Sequence, residues 1–324
     1  MANGQTQNQI LALLKERKNY VSGEDLSRLL KMSRAGLWKH MQELRADGYK
    51  IEAVPHEGYR LFAVPDKLLS FEVGYQLETQ LVGKKFIHLE SVSSTMDEAF
   101  QLGLQGAREG TVVCAETQSK GRGRLGRDWV SPKGKGIYFS LLLRPESAPS
   151  EVARITLLCA VALCEALQKE TGLDPKIKWP NDILLNHKKL AGILTEMNAD
   201  TDRIKFLVVG VGLNVNTSRS PLPPEATSLK IETRQAHSRI KLLQAILRSL
   251  DFWYADFKKN GFESAMLKWK KYSSTLGQRV RLRHLKETVE GLAVDLSTDG
   301  GLLIRCDDGR TIKNISGDVQ HLLS

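Results

Sequence analysis

Apolar residues recur with changing period along this chain, and the changes divide it into three segments. Over residues 7–17, Ile10, Leu13 and Leu14 keep helical spacing. A second helix opens at Ser22, whose hydroxyl caps it with Asp25 three residues on as box partner, and Leu26, Leu29 and Leu30 continue its apolar face. Ser33 caps a third helix in which Leu37, Met41 and Leu44 share one face. Ala35, Lys39 and Gln42 then point the opposite way, flanked by Arg34 and Trp38. The following stretch, GYKIEAVPHEGYRLF, predicts two short strands around a Pro-His-Glu-Gly turn, with His56 and Arg60 near the tip.

Helix, helix, turn, helix and hairpin is the order of a winged helix-turn-helix, which lays its later helix in the DNA major groove. A small helical domain for protein contact has the same outline; the short basic third helix and the hairpin together favour DNA. From about residue 66 to 270, helical and strand patterns alternate, with buried-looking strands at TVVCAE, IYFSLLLR and FLVVGVGL and a long apolar helix from Val152 to Leu167. TSRSPLPP, Thr217 to Pro224, breaks all periodicity and predicts a mobile loop. From about Leu276 the pattern turns to short alternating strands, RVRLR, AVDLS, GLLIRC and TIKNI, parted by Asp-Gly turns, as in a small SH3-like barrel. The expectation is therefore a multidomain α/β (α+β) chain. Residues 1–65 form the winged helix-turn-helix, 66–273 a central mixed-sheet domain and 274–324 an SH3-like β-barrel.

Composition narrows the class without choosing the function. The 324 residues are 41% hydrophobic and 26% charged, with mean hydropathy −0.28, as in soluble globular chains. No apolar run approaches the ~18 residues of a spanning helix, and the start, MANGQTQNQI, has neither the basic nor the apolar region of a secretory signal, so a cytoplasmic protein away from membranes is expected. Four scattered cysteines read as reduced core residues rather than a zinc site. A net charge of +10 favours polyanionic partners such as nucleic acid.

Three stretches carry candidate chemistry. GRGRLGR, Gly121 to Arg127, follows the strand TVVCAETQ; its glycines let the backbone turn and aim N–H groups inward, and its guanidinium groups match carboxylate or phosphate oxygens. Three neighbouring guanidinium groups repel one another, which points to an anion between them. In KIKWPNDILLNHKKLAGILTE, Pro180 ends a strand and leaves Asn181 and Asp182 where side chains reach a ligand, while Lys189 precedes the small residues Ala191 and Gly192. On position alone Lys189 is a solvated turn lysine; only its neighbours reverse that reading. In VVGVGLNVN, Gly210 and Gly212 suggest close approach to a ligand, and Asn214 offers donor and acceptor together to a base edge, with Asn216 either similar or a turn residue.

With SVSSTMDEA before them, these stretches resemble the bifunctional biotin protein ligases that double as biotin operon repressors. GRGRxGR, KWPND, K-L-A-G-I-L and GxGxN occur in the family's order, and the flanking segments match, so the resemblance spans nearly the whole chain. It implies that biotin and ATP form biotinyl-5'-AMP with release of pyrophosphate, Mg²⁺ arriving with ATP, and that biotin then passes to a lysine of a biotin carboxyl carrier domain. It also implies that biotinyl-5'-AMP is the corepressor of a homodimer that binds the operator of biotin genes.

Residue by residue, the resemblance places Ser94, Thr95 and Gln118 at the polar ureido end of biotin, Arg122 beside it with its backbone amide, and Trp129 in the apolar biotin pocket with Gly121, Gly192 and Gly210. It places Arg124, Arg127 and Lys189 on phosphate and carboxylate, Lys189 with Arg124 and Arg122 as the catalytic cations, and Asn214 on the adenine side. Asn181 and Asp182 fall in the phosphate neighbourhood, with no protein-held metal and Asp182 a candidate neighbour of Mg²⁺. Arg34, Ala35, Trp38, Lys39, Gln42 and Arg60 form the DNA-facing set. One departure is Met96, where relatives commonly carry a polar residue, often asparagine. No Walker-type phosphate loop is present, so the arginine loop must hold the nucleotide.

Two other readings compete. A lipoate-protein ligase runs the same adenylation, but a dithiolane would leave the ureido-side polar groups unpaired at ~1 to 3 kcal/mol each. A sensor that binds biotin without catalysis would have no use for Lys189 and the arginine loop.

Overall fold

A computed structural model describes residues 2–17, 19–284 and 287–322, and the chain divides into two compact units between Lys67 and Leu68. The first contains α1 (Ala2–Glu16), α2 (Gly23–Leu29) and α3 (Arg34–Ala46), followed by the hairpin β1 (Lys50–Val54) and β2 (Gly58–Ala63). Ile10, Leu14, Leu26, Leu37, Met41 and Leu44 bury the facing stripes of the helices. Ser33 Oγ accepts the Gly36 N–H at 3.1 Å, as an N-cap should. Ser22 Oγ accepts from Glu24 N at 3.2 Å, but Asp25 does not complete the expected box and takes Arg28 instead at 2.6 Å. Leu29 also departs from expectation and stands 52% exposed, because Leu30, one full turn after Leu26, takes the inward position. Val21 and Tyr59 exchange main-chain hydrogen bonds of 2.8 and 2.9 Å, joining the hairpin to the start of α2. Gly58 is required there: its φ is +109° and a Cβ would collide with the Val21 carbonyl.

The second unit begins with α4 (Ser70–Gly74), β3 (Phe86–Leu89), α5 (Thr95–Leu104), β4 (Val112–Ala115) and β5 (Gly136–Leu143). It continues through α6 (Val152–Thr171), β6 (Lys176–Lys178), β7 (Asp182–Leu185), β8 (Lys188–Ala199) and β9 (Ile204–Asn214) to α7 (Leu229–Thr233), α8 (Arg239–Asn260) and α9 (Glu263–Tyr272). Strands β3 to β9 make a seven-stranded mixed sheet in the order β3-β4-β5-β9-β8-β7-β6, parallel between β3 and β4 and otherwise antiparallel.

Strand alternation decides what each face holds. Val209, Val211 and Leu213 of β9 join the main core with residues of α6 and α8, whereas Phe206 and Val208 pack with Met96 and Ala99 of α5 in a smaller core. On that second face the next inward positions of β9 are Gly210, Gly212 and Asn214. Apolar packing therefore stops at Val208 and leaves a trough.

Five further strands, β10 (Arg279–His284), β11 (Glu287–Leu296), β12 (Leu302–Arg305), β13 (Thr311–Asn314) and β14 (Asp318–His321), form an antiparallel sheet in the order β13-β12-β11-β10-β14. Four of them follow the sequence pattern. The fifth, DVQH, was not among the expected strands because Val319 is its one apolar residue. Val280, Leu282, Ile304 and Val319 belong to the same core as α6 and α8, and Trp179 Nε1 donates to Gly300 O at 3.2 Å. Among the described residues no helix is long and apolar enough to cross a membrane.

Candidate active site and nucleic-acid surface

The trough opens into a cavity of about 670 Å³. Ser94, Thr95, Gln118, Arg122, Arg124, Arg127, Trp129, Asn181, Asp182, Lys189, Gly192, Gly210 and Asn214 all line it. Gly121 does not; it lies behind Trp129, whose N–H it accepts at 2.8 Å, and a Cβ there would collide with the Trp129 carbonyl.

One end of the cavity is a chain of hydrogen bonds. Ser140 Oγ donates to Thr95 Oγ1 at 2.9 Å, Thr95 N and Oγ1 both reach Gln118 Oε1 at 2.9 and 3.1 Å, and Gln118 Nε2 donates to Ser131 Oγ at 3.0 Å. Ser94, fully buried, caps α5 through Met96 N at 3.3 Å. Ser131 and Ser140 escaped the sequence reading, although a lone hydroxyl inside IYFSLLL was a usable signal. Met96 turns from this polar end and packs over Gly210.

The floor is built from paired glycines. Gly192 of β8 and Gly212 of β9 are register partners, and the Trp129 indole lies against both. A methyl group at Gly192 would stand 3.2 Å from the ring and 3.2 Å from Lys189 Cε, and one at Gly212 would overlap the ring outright. The Trp129 Nε1 proton is buried without a hydrogen-bond partner among the described residues.

At the other end stand the cations. The cis Trp179–Pro180 bond turns the chain out of β6 so that Asn181 donates to Ile193 O at 2.7 Å and accepts from Arg124 Nη1 at 3.1 Å. Asn186 and His187, both at positive φ, close the β7–β8 hairpin and set Lys189 Nζ 2.7 Å from Asp182 Oδ1. Arg122 pairs with Asp97 at 2.7 Å and Glu196 at 3.4 Å, and Arg127 pairs with Asp318 of β14. The loop's mutual repulsion is thus relieved by acids supplied from elsewhere in the fold. Burial lowers the Arg124 pKa, and the hydrogen bond to Asp318 raises that of Arg127. His321, also on β14 and lining the cavity, is held below its ordinary value by burial and by neighbouring Lys178 and His187. No motif in the sequence pointed to Asp318 or His321, because they enter the cavity through the long-range pairing of β14 with β10.

Asn214 is buried, donates to Thr227 O at 3.0 Å and leaves its Oδ1 without a partner among the described residues. Asn216 is structural: it exchanges hydrogen bonds of 2.8 and 2.9 Å with His237. The 217–224 loop is braced by Arg219, which donates to Ala226 O at 2.6 Å and Pro223 O at 2.8 Å.

In the first unit Arg34, Ala35, Trp38, Lys39 and Gln42 form one exposed face of α3, Trp38 at 57%. Arg34 pairs with Glu24 at 3.0 Å. Arg60 is committed to Glu52 at 2.7 Å and stacks 4.7 Å from the centre of the Tyr20 ring. Phe62, 64% exposed on β2, had not been singled out.

Known proteins match this arrangement along the chain. The profile of the HTH domain family covers residues 6–60, that of the biotin/lipoate A/B protein ligase family residues 88–214, and that of the biotin protein ligase C-terminal domain residues 275–322. The bifunctional ligase/repressor BirA of Bacillus subtilis is 39% identical over 306 residues, 93% of this chain and 94% of the relative. The chain belongs to the bifunctional biotin ligase/repressor family. A more distant member, the bifunctional ligase/repressor BirA of Escherichia coli, is 31% identical over 88% of each chain. In solved structures, the biotin protein ligase of Aquifex aeolicus in complex with biotin and ATP aligns with a TM-score of 0.64 at 32% identity, over 74% of this chain and all of that one. That smaller family member covers about as much of this chain as its second unit occupies.

Proposed function

We propose that this chain condenses biotin with ATP to biotinyl-5'-AMP, transfers the biotinyl group to a lysine of a biotin carboxyl carrier domain, and represses biotin genes when the adenylate is bound. The observation that carries the reading is the arrangement of one cavity. A hydroxyl and amide chain lies at one end, an indole on a glycine floor in the middle, and Arg124 and Lys189 at the other. A ureido ring, a valeryl tail and an anionic carboxylate present the same three chemistries in the same order.

In the first step a biotin carboxylate oxygen attacks the α-phosphorus and pyrophosphate leaves. Both partners are anions, so cations fixed before reaction stabilise the transition state. Lys189 bridges carboxylate and α-phosphate, and Arg124 and Arg122 supply further charge; Arg127 contacts phosphate and Asn214 receives the adenine amine at its open Oδ1. The acceptor lysine amine then attacks the anhydride carbonyl and AMP departs. Among the described residues no group of three or more His, Cys, Asp or Glu side chains could hold a metal. Asp182 would stand near the Mg²⁺ that comes with the triphosphate, which would offset phosphate charge.

The remaining assignments follow from that reading. Residues 1–65 read the operator through Arg34, Ala35, Trp38, Lys39 and Gln42, with Arg60 joining when Glu52 releases it; 66–273 catalyse, and 274–324 complete the cavity. The protein works in the cytoplasm. Biotinyl-5'-AMP favours a homodimer by ordering the arginine loop and the 217–230 segment, and two joined readers gain from effective concentration on a two-fold operator. Sedimentation that finds the same monomer with and without biotinyl-5'-AMP would remove the dimer switch alone.

Pyrophosphate release from ATP, measured with biotin and lipoate side by side, tests the enzyme. Release with biotin alone is expected. Release with lipoate alone would give the site to a dithiolane, and release with neither would leave a sensor.

A further inference from the structure

Glu116 takes no part in the chemistry above, yet its side chain is 2% exposed and ionised in the interior. It follows β4 and stands two residues before Gln118. Its Oε2 accepts from Arg239 Nη1 at 2.8 Å, and its Oε1 accepts Leu68 N at 2.7 Å and faces His88 Nε2 at 3.3 Å. Its main-chain carbonyl accepts Gly134 N at 3.1 Å. Arg239, with no exposed surface, opens α8 and also donates to Gly136 O at 3.2 Å.

The partners of these two residues define the base of a loop. Residues 215–238 leave β9 after Asn214, whose register partner is Gly136, carry the short α7, and end at Arg239, which donates to the carbonyl of that same Gly136. Leu222, Pro223, Glu225 and Ala226 from the middle of the loop line the same cavity as Gln118. The middle of the loop is held by Lys189, whose N–H donates to Glu225 O at 2.8 Å and whose carbonyl accepts Thr227 N at 2.9 Å, and Leu229 joins the main core; its ends are fixed separately. Asn216 and His237 close it by their paired amide bonds, and Arg239 anchors it from behind.

We infer that Glu116 is a positioning residue for adenylation: by orienting Arg239 it closes the base of the 215–238 loop on Gly136, while the same stretch of chain carries Gln118 to the ureido end. One buried carboxylate thereby sets the spacing between the two walls of the cavity. Reach is essential, because a single terminal nitrogen, Nη1, meets Glu116 Oε2 and Gly136 O together, and a lysine side chain ends one bond short of that position. The assignment rests on the ligase reading.

Arg239→Lys keeps a positive charge opposite Glu116 and loses the reach to Gly136 O. Its expected effect is a rise of roughly tenfold or more in the KM for ATP, faster loss of biotinyl-5'-AMP, and a smaller change in kcat. Glu116→Gln should give the same pattern more strongly where it folds, and Arg239→Lys decides the matter where it does not. A loss confined to active fraction or melting temperature, with KM values and adenylate release those of the parent, would show a merely structural pair and overturn the inference. The parent's own pyrophosphate release keeps the two questions apart: without it the ligase reading fails, and with it an Arg239→Lys protein of parental KM refutes Glu116 alone.

Discussion

Lys189 Nζ and Asp182 Oδ1 face each other at 2.7 Å across the β7–β8 hairpin, so the cation proposed for catalysis is held by an acid of the same hairpin. The turn at Asn186 and His187 fixes the hairpin, and the glycine floor beneath it fixes the height of the ammonium above the sheet. Lys189→Ala should therefore reduce adenylate formation by roughly 100-fold or more while biotin affinity falls far less. Single-turnover adenylation set beside equilibrium biotin binding reads the difference, and equal losses would strip Lys189 of its catalytic role.

Gly212→Ala puts a methyl group where the Trp129 ring lies. The ring must shift from the floor, since the added carbon would stand 2.4 Å from its Cε2. Weaker biotin binding by roughly tenfold is expected, together with a change in indole emission on adding biotin. Unchanged affinity and emission would place the ligand away from this floor.

Acid should reveal Glu116. Burial alone would raise its pKa, but His88, the Leu68 N–H and Arg239 outweigh burial and hold it at about 2, against an ordinary value of 4.5. Because the folded value is the lower one, the contribution is fully present above pH ~4.5 and is lost as pH falls toward 2. A shift of this size is on the order of 3 kcal/mol. Denaturant unfolding followed over that window should lose stability steeply in the parent and less in Glu116→Gln; parallel curves would contradict the assignment.

Lys39 is exposed on α3 and carries a charge toward the proposed DNA face. Lys39→Ala should weaken operator binding and lower the slope of log affinity against log salt by roughly one, the signature of one lost phosphate contact. Titrations at several salt concentrations measure the slope, and an unaltered slope would move the contact surface off Lys39.

Much of this was legible because local rules were obeyed. Ser33, Leu37, Met41 and Leu44 mark α3 by cap and period, and the glycines of VVGVGLN mark where packing gives way to a cavity. What stayed hidden was non-local. Asp318 neutralises Arg127 through a four-residue strand near the end of the chain, and nothing in DVQH announces a partner for a loop 191 residues earlier. Ser131 joins the hydrogen-bond chain of Gln118 only because Trp129 and Gly121 fold the loop back on itself. The capping box failed for a local reason: Arg28 offered Asp25 an opposite charge one turn along the helix.

If the cavity takes biotin and ATP as proposed, the acids that quiet the arginine loop also choose its guests. Asp97 and Glu196 sit on Arg122, Asp318 on Arg127 and Asp182 on Lys189, each tethered beside its cation at high effective concentration. A free phosphate ion arrives with charge and little else, and must displace a carboxylate that never diffuses away. A molecule long enough to lie along Trp129 and reach Asn214 brings apolar contact and a base edge as well, and tips the exchange. In a cell crowded with small inorganic anions, the loop is thereby kept for ligands recognised by their length.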